Sequence, residues 1–306
     1  MIGWVVLAAL LLDAALGEPR RWHPLVGFGN LAQWLEQRLY ADSRRAGTVA
    51  VALLLLPGLL LPGLLLATAI ATLPSPAIAE VLVLYLAIGA QSLRAHAEAV
   101  YAALGAGDLP SARQAVARLV SRDSAALDAS GVAGATAESV LENGNDALFA
   151  SIFWYALAGI PGVVLHRLAN TLDAMWGYRN ARYGRFGWAA ARLDDGLNYL
   201  PARLTALSYA AAGDFCSGLR CAHRQGRHWK SPNAGPVMAA GAGSLGIRLG
   251  GPAWYDGRLQ QRGVLGRGRA AQPQDIRRAQ ELVRRALILW LVALFGVAWI
   301  HESGLV

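Results

Sequence analysis

The chain has 306 residues, of which 55% are apolar and only 16% charged, with a mean hydropathy of +0.35. A soluble domain carries about 25% charged residues, so this composition excludes a disordered chain and argues for an integral membrane protein over an ordinary cytosolic enzyme. The net charge of +8 comes from 27 Arg and the single Lys230 against 20 acids. These basic residues sit between apolar runs, as topology signals do, and form no soluble patch of the kind that binds nucleic acid. Cys216 and Cys221 are too few for a disulfide framework and fit no zinc spacing, so they read as ordinary thiols.

Residues 2–16 form the first apolar segment, with Asp13 near its end and Arg20 and Arg21 after it. A secretory signal places its basic residues before the apolar stretch, so this segment reads as a retained helix. Residues 46–73 are 28 consecutive uncharged positions, interrupted by Pro57 and Pro62. They suffice to cross a bilayer, which takes about 20 apolar residues. A link containing Pro74 and Pro76 leads to a second run at 78–93. The segment 147–165 contains Gly159, Pro161 and Gly162, which favour two half-helices over one straight span, so it is expected to be re-entrant or spanning. Such broken backbone survives at membrane depth only when buried in protein or lining a cavity. Residues 255–275 are rich in Gly, Arg and Gln and read as a solvated loop. The last apolar run, 286–301, follows Arg277, Arg278, Arg284 and Arg285.

Arg counts are five in 17–45, none in 74–77, four in 94–146 and six in 166–212, and 213–285 holds thirteen basic residues. The positive-inside rule then puts 17–45, 94–146 and 213–285 in the cytoplasm and 74–77 outside. No long β-type alternation or internal repeat is visible, and the stretches between spans read as helical. The expected fold is therefore all-α. It is a single polytopic membrane domain over 1–306 with about four to five spans and polar cytoplasmic regions at 94–146 and 166–285.

Acids are scarce, and eight of the 20 fall between 123 and 195. Glu138, Glu142 and Asp146 are spaced to form one stripe on a helix, where like charges at i,i+4 repel mildly. A divalent cation or a cationic substrate would relieve that repulsion, since Mg²⁺ typically takes one or two carboxylates plus substrate phosphates. A solvated acidic face is the alternative, and Asn143 together with the apolar run straight after Asp146 favours a site. A second cluster comprises Asn170, Asp173, Arg179, Asn180, Arg192, Asp194, Asp195, Asn198 and Arg203. It could bind a polyanion, or it could be surface ion pairs and topology-setting arginines. Asp13, Glu18 and His23 form a third group, and an acid inside an apolar segment is a functional suspect.

The only lysine follows Trp229, so a Walker A loop is excluded. Gly241, Gly243 and Gly246 spell G-x-G-x-x-G, but no strand precedes them, and close helix packing is the better reading. No H-E-x-x-H or G-x-S-x-G is present.

The segments LLDAALGEPRRWHPLVGFGN, SRDSAALDASGVAGATAESVLENGNDALFASIFWYALAGIPG, RLANTLDAMWGYRNARYGRFGWAAARLDDGLNYLPARLTAL and SPNAGPVMAAGAGSLGIRLGGPAWYDG resemble the cobyric acid:aminopropanol ligase family of cobalamin biosynthesis, the adenosylcobinamide-phosphate synthases. The similarity covers nearly the whole chain and is strongest between Ser121 and Leu207, in E-S-x-x-E-N-x-x-D and N-T-L-D-x-M-x-G-Y-x-N. Leu141 and Ala147 depart from the pattern, which favours a small residue before the E-N pair and often Gly after the Asp.

The resemblance implies a multi-pass enzyme of the cell inner membrane with its active site facing the cytoplasm. It implies an ATP-dependent carbon–nitrogen ligase, with ATP and Mg²⁺ as cofactors and the corrinoid as substrate. The reaction joins the amine of (R)-1-aminopropan-2-ol, or of its O-phosphate, to a propionate carboxyl of adenosylcobyric acid. On this reading Glu138, Glu142 and Asp146 are catalytic, with Glu142 and Asp146 as metal ligands, and Asp194 and Asp195 share metal or general-base duty. Arg179, Arg192 and Arg203 would meet phosphates, while Asn143, Asn170, Asp173 and Asn180 would position substrate. Asp13, Glu18 and His23 would close the pocket, and Ser231 and Asn233 would contact corrin side chains. The synthase that attaches the lower ligand is the implied membrane partner. A corrinoid or amine permease and another membrane-embedded Mg²⁺-dependent transferase are the alternatives. Loop-borne polar clusters speak against the first, and a misspaced Asp194-Asp195-Gly196 against the second.

Overall fold

Helix starts follow the local chemistry of the chain. The computed structural model describes residues 1–19, 23–72, 75–178, 180–255 and 257–303. After α1 (Ile2–Leu16), α2 (Pro24–Leu39) begins with Pro24 in its first turn, where proline costs no hydrogen bond, and with the His23 ring accepting the Leu25 N–H at 3.2 Å. Next come α3 (Arg44–Thr72) and α4 (Pro76–Ala87), the latter capped by the Ser75 hydroxyl. After α5 (Ala90–Gly105), Asp108 caps α6 (Leu109–Val116) and Asp128 caps α7 (Ala129–Gly144), taking the Ser111 and Gly131 N–H groups at 3.0 and 2.7 Å. A π turn, Asn145–Phe149, joins α7 to α8 (Ala150–Trp176). The chain continues through α9 (Tyr183–Phe186), α10 (Trp188–Ala212), α11 (Phe215–Arg224), a 3₁₀ turn (Gly226–His228) and α12 (Ala234–Leu245). Five short strands then precede the last helix: β1 (Ile247–Gly250), β2 (Ala253–Tyr255), β3 (Arg258–Gln260), β4 (Val264–Gly266) and β5 (Arg269–Ala270), followed by α13 (Pro273–Glu302).

The fold is that of an all-α membrane protein, 76% helical. Among the described residues, three helical stretches are long and apolar enough to span a bilayer, Pro76–Gly105, Ala129–Trp176 and Pro273–Ile300, and α1 is a shorter apolar helix. The run expected at 78–93 is not one straight helix, because Ile88 is extended between α4 and α5. The run at 46–73 lies along α3 as far as Thr72, with Leu73 outside the described residues. Within 147–165 the helix breaks at Gly159, whose φ of 61° and ψ of −149° are open to glycine, two residues before Pro161.

The solvated loop expected at 255–275 is corrected by the structure, which places β3, β4 and β5 there. β1 runs antiparallel to β4, with Leu249 opposite Leu265, and parallel to β5, while β2 and β3 form a separate hairpin. Strands of two to four residues separated by glycines carry too little alternation to register as a pattern. Ile247, Leu249 and Leu265 are nonetheless buried, against α7 and α12.

The chain forms two compact units, residues 1–89 with 150–198, and residues 90–149 with 199–306. In the first unit, Leu54, Leu172, Trp176 and Phe186 lie in one core formed by α2, α3, α8 and α9. Trp176 meets Phe186 edge to face with centroids 5.1 Å apart, and Tyr40 tilts against the same ring at 5.5 Å. Glu36 is buried beside them and accepts from Trp176 Nε1 at 3.0 Å, from Arg182 at 2.7 and 3.0 Å and from the Tyr183 hydroxyl at 3.1 Å. In the second unit α12 is buried along most of its length against α7, α11 and the strands. Gly241 and Gly243 serve close packing, since a Cβ on Gly241 would lie 2.5 Å from Leu141 and one on Gly243 2.7 Å from the Ser217 carbonyl.

Phe186 is fully buried. Phe186→Ala is expected to destabilise the first unit by about 3–5 kcal/mol, and Phe186→Leu by clearly less. Thermal unfolding of the detergent-solubilised protein checks this, and equal melting temperatures for the two variants would contradict it.

Candidate active site

The second unit holds the more highly charged cluster. α7 presents Glu138, which is almost fully buried, and its carboxylate is compensated from three directions. Gly250 N–H at the end of β1 donates to Oε1 at 2.7 Å, Arg262 Nη1 donates to Oε2 at 3.1 Å, and Arg122 Nη2 lies 3.2 Å from Oε2. The Arg122 and Arg262 side chains are only 7% and 9% exposed, so the guanidiniums are desolvated with the carboxylate. Burial pulls the Arg122 guanidinium below its ordinary value, and Glu138 opposes that shift. Arg262 also reaches the Gly251 carbonyl at 3.0 Å and lies over the Trp229 ring at 5.3 Å.

One turn further along α7, Glu142 and Asn143 line a cavity of about 130 Å³ together with Glu138, Arg122, Arg262 and Tyr255. The Asn143 amide donates to the Ser139 hydroxyl and carbonyl at 2.9 and 3.0 Å. The E-S-x-x-E-N segment thus opens on a small polar chamber with two arginines in its wall. Asp146 lies in the π turn instead of extending the stripe, and its Oδ1 accepts from the Asn145 amide at 2.8 Å. The turn is pinned from α10. Thr205 donates to Asn145 Oδ1 at 2.9 Å, and the Tyr209 hydroxyl donates to the Leu141 carbonyl at 3.0 Å while Asn145 N–H turns to the Glu142 carbonyl. Burial, with Asp146 second, holds the Tyr209 phenol well above its ordinary value, so it stays a donor. Gly144 is needed here, because a Cβ would lie 2.5 Å from that hydroxyl. π turns are frequent at functional sites.

Also in this unit, Arg203 donates to Asn233 Oδ1 at 2.7 Å and stacks on Tyr199 at 3.6 Å. Burial lowers its guanidinium from the ordinary value. Ser231 accepts the Asn233 and Ala234 N–H groups, fixing the start of α12. Among the described residues no three of His, Cys, Asp and Glu converge as a metal site would require.

The first unit carries a cluster richer in amides. Asp194, mostly buried, accepts through Oδ1 from the Asn170 and Asn198 amides at 3.2 and 2.9 Å. Asn198 in turn meets the fully buried His166 at 3.2 Å, and Arg167 donates to Asn170 Oδ1 at 3.3 Å. Asp195 pairs with Arg192 on the surface at 3.7 Å, a contact worth about 0–1 kcal/mol. Asp173 is half-buried in α8, and Asn180 caps α9 by accepting the Tyr183 N–H at 2.8 Å. Asp13 is buried in α1, and exposed Glu18 lies 3.8 Å from the His23 ring that caps α2. Arg179 lies outside the described residues.

The structure therefore gathers Glu138, Glu142 and Asn143 around one cavity, Asn170 with Asp194 in one amide cluster, and Arg203 with Asn233. Asn180 and His23 do helix-capping work. Sequence reasoning missed Arg122, Arg262 and Tyr255 as partners of Glu138, and His166 as a partner of Asn198. Arg122 stands in SRDSAALD, among the resembling residues, but Arg262 comes from the stretch read as a loop.

Helical spans and clusters of buried charge held inside helix bundles define an integral membrane protein with polar sites of its own. The profile of the CobD/Cbib protein family matches residues 6–283. A protein of Stutzerimonas stutzeri named "Cobalamin biosynthesis protein CobD" is 54% identical over 97% of this chain and 98% of its own length. A protein of the same name from Chromobacterium violaceum is 56% identical over 92% of each chain, and one from Mycobacterium tuberculosis is 42% identical over 91% of this chain and 90% of its own. No solved structure matches. The chain belongs to the CobD/CbiB family, the adenosylcobinamide-phosphate synthase family.

Removing the carboxylate from between two desolvated guanidiniums leaves like charges buried together. Glu138→Ala is expected to cost about 3–5 kcal/mol. Glu138→Gln should cost less, because its amide oxygen still accepts the Gly250 N–H. Melting temperatures in detergent test this, and an unshifted Glu138→Ala protein would refute it.

Proposed function

We propose that the protein acts in cobalamin biosynthesis as a membrane ligase. It joins a propionate carboxyl of adenosylcobyric acid to the amine of (R)-1-aminopropan-2-ol or its O-phosphate, at the expense of ATP. The observation that carries this reading within the family is the chamber over Glu138. It is too small for a corrinoid, and its wall combines two buried arginines with the Glu142 carboxylate. A small molecule with a phosphate at one end and an ammonium at the other matches that wall, guanidinium to phosphate and carboxylate to ammonium. The geometry therefore favours the phosphorylated amine.

A carboxylate is a poor electrophile towards an amine, since it would have to expel oxide. Transfer of the ATP γ-phosphoryl to the propionate oxygen gives an acyl phosphate and ADP. The amine nitrogen then attacks the carbonyl carbon, the C–O bond to phosphate breaks, and the amide and inorganic phosphate leave. The attacking nitrogen must first lose the ammonium proton, which Glu142, in the wall of the chamber, is placed to take. Arg122 and Arg262 hold the amine's own phosphate, and Glu138 keeps both guanidiniums in place.

Magnesium completes its coordination with phosphate oxygens and water when the protein offers only two carboxylates. The π turn parts Asp146 from Glu142, so the two do not form a ready-made pair, and Asp146 is the carboxylate left to meet Mg²⁺ carried in with ATP, where the ion would neutralise charge on the transferring phosphate. The arginine distribution supports a cytoplasmic setting for 94–146 and 213–285 in a multi-pass protein of the cell membrane. A neighbouring membrane synthase acting on the product would profit from a raised local concentration.

The test uses detergent-purified protein with adenosylcobyric acid, either amine, ATP and Mg²⁺, each omitted in turn, with product mass as the readout. The amide mass is expected only with all components present. Amide formed without ATP would overturn the activation step, and no amide from folded protein would overturn the ligase. Glu142→Gln should lower turnover about 100-fold. Arg262→Gln should raise KM for aminopropanol phosphate about tenfold or more, as loss of a charge-assisted contact does, and leave that for free aminopropanol nearly unchanged.

A further inference from the structure

The second unit has another, larger cavity of about 600 Å³, within the range of about 300–1,000 Å³ typical of small-molecule sites. It is bounded by α5, the π turn and α13. Its wall is divided by chemistry, with Arg94, Arg277 and Arg284 on one side and an apolar surface including Leu148 and Leu287 on the other. Two acids accompany the arginines. Glu98 pairs with Arg277, and Glu281 pairs with Arg284 and with the neighbouring Arg285. Arg94 also acts on Glu98 through its charge, and three arginines against two acids leave the wall an excess of positive charge. The Gln280 side chain donates to the Arg94 carbonyl at 3.0 Å, tying α5 to α13 at the cavity.

The position of this division along α13 is informative. The first turns of the helix carry Arg277, Arg278, Arg284 and Arg285, and from Ala286 to Ile300 the helix is apolar. The apolar window of α13 is only 6% buried within the protein, and Val292 and Val297 are 64% and 68% exposed. Such a surface belongs in hydrocarbon. The cavity therefore opens where the basic end of a span passes into its lipid-facing part. A ligand filling it must carry negative charge at one end and alkyl character at the other, and must do so at the depth of the bilayer surface. A free anion would satisfy the arginines and leave the leucine wall wet, and a neutral lipid would leave the charge excess unanswered.

We propose that this cavity is a binding site for an anionic membrane phospholipid, its phosphate held by Arg94, Arg277 and Arg284 and its upper acyl chain lying along Leu148 and Leu287. Guanidinium forks suit phosphate oxygens, and the long arginine stems can lie on apolar surface while their heads stay at the interface. The lipid bridges α5 and α13 at the level of the π turn, and so ties this end of the unit to the bilayer surface. The site is separate from the chamber over Glu138 and stands whether or not the ligase reading is right.

The experiment measures thermal stability of the full chain in detergent. It titrates phosphatidylglycerol, phosphatidylcholine of the same acyl chains, and inorganic phosphate, with lipid retention read by native mass spectrometry. Phosphatidylglycerol is expected to raise the melting temperature and to stay bound, with phosphatidylcholine and phosphate giving little. Each of Arg94→Gln and Arg284→Gln should weaken the apparent affinity for phosphatidylglycerol about fivefold, the effect of one basic side chain at an anionic lipid surface. Arg94 is exposed and interacts with Glu98 on the same helix only through its charge, so Arg94→Gln should fold as the unaltered protein does in phosphatidylcholine, which separates lost binding from lost structure. Equal response to the two lipids, a phosphate effect matching that of the lipid, or full phosphatidylglycerol affinity in both variants would overturn the proposal.

Discussion

A carboxylate buried in a helix bundle has to be answered on both oxygens, and the answer given to Glu138 governs how the second unit is built. Two guanidiniums and one backbone N–H meet it, and none of the three comes from α7 itself. Arg122 arrives from the segment before α7, while Gly250 and Arg262 are 112 and 124 residues further along the chain. The backbone donor is the end of a strand, where the N–H is not taken up as it is within a helix, and the strands of 247–270 supply it. They are a small β insert in a helical protein, and they carry the donor and the arginine that make the buried charge tolerable.

The π turn after α7 solves a related problem. A straight helix would continue the acidic stripe from Glu138 through Glu142 to Asp146 on one face. The turn interrupts that regularity and assigns the two ends different partners. Glu142 lines the arginine-walled chamber, whereas Asp146 joins Asn145, Thr205 and Tyr209. The interruption is stabilised from outside, with the Tyr209 phenol donating to the Leu141 carbonyl and Gly144 leaving room for it. Leu141, a departure from the family pattern, finds its space at Gly241, where any side chain would collide with it. The G-x-G-x-x-G spelling thus has a steric cause on the helix opposite and needs no nucleotide to explain it.

What could be read from the chain divides along the range of the interactions involved. Helix starts at Pro24, Pro76, Asp108 and Asp128 were written locally, since a cap involves residues two or three apart. The break inside 147–165 was legible because Gly159 and Pro161 each constrain their own backbone. The acidic motif was visible as a spacing, and four of its polar residues, Glu138, Ser139, Glu142 and Asn143, do line one cavity. Its electrostatic character was not visible, because the spacing of Glu138, Glu142 and Asp146 suggested an unrelieved negative stripe. Arg122 and Arg262 relieve it through contacts that no local pattern encodes. The same limit hid the strands, where burial of Ile247, Leu249 and Leu265 is set by α7 and α12 and not by alternation.

The Glu138 and Asp194 carboxylates are both buried but are held by different kinds of partner. Glu138 is in ionic contact with Arg122 and Arg262 and also accepts the Gly250 N–H. Asp194 receives hydrogen bonds from the Asn170 and Asn198 amides, and the latter is tied to His166. The amide cluster joins residues of N-T-L-D on one helix and of the LDDGLN stretch on another. Asn170 sits four residues after His166 and Asn198 four after Asp194, so each helix contributes a pair from successive turns to one network.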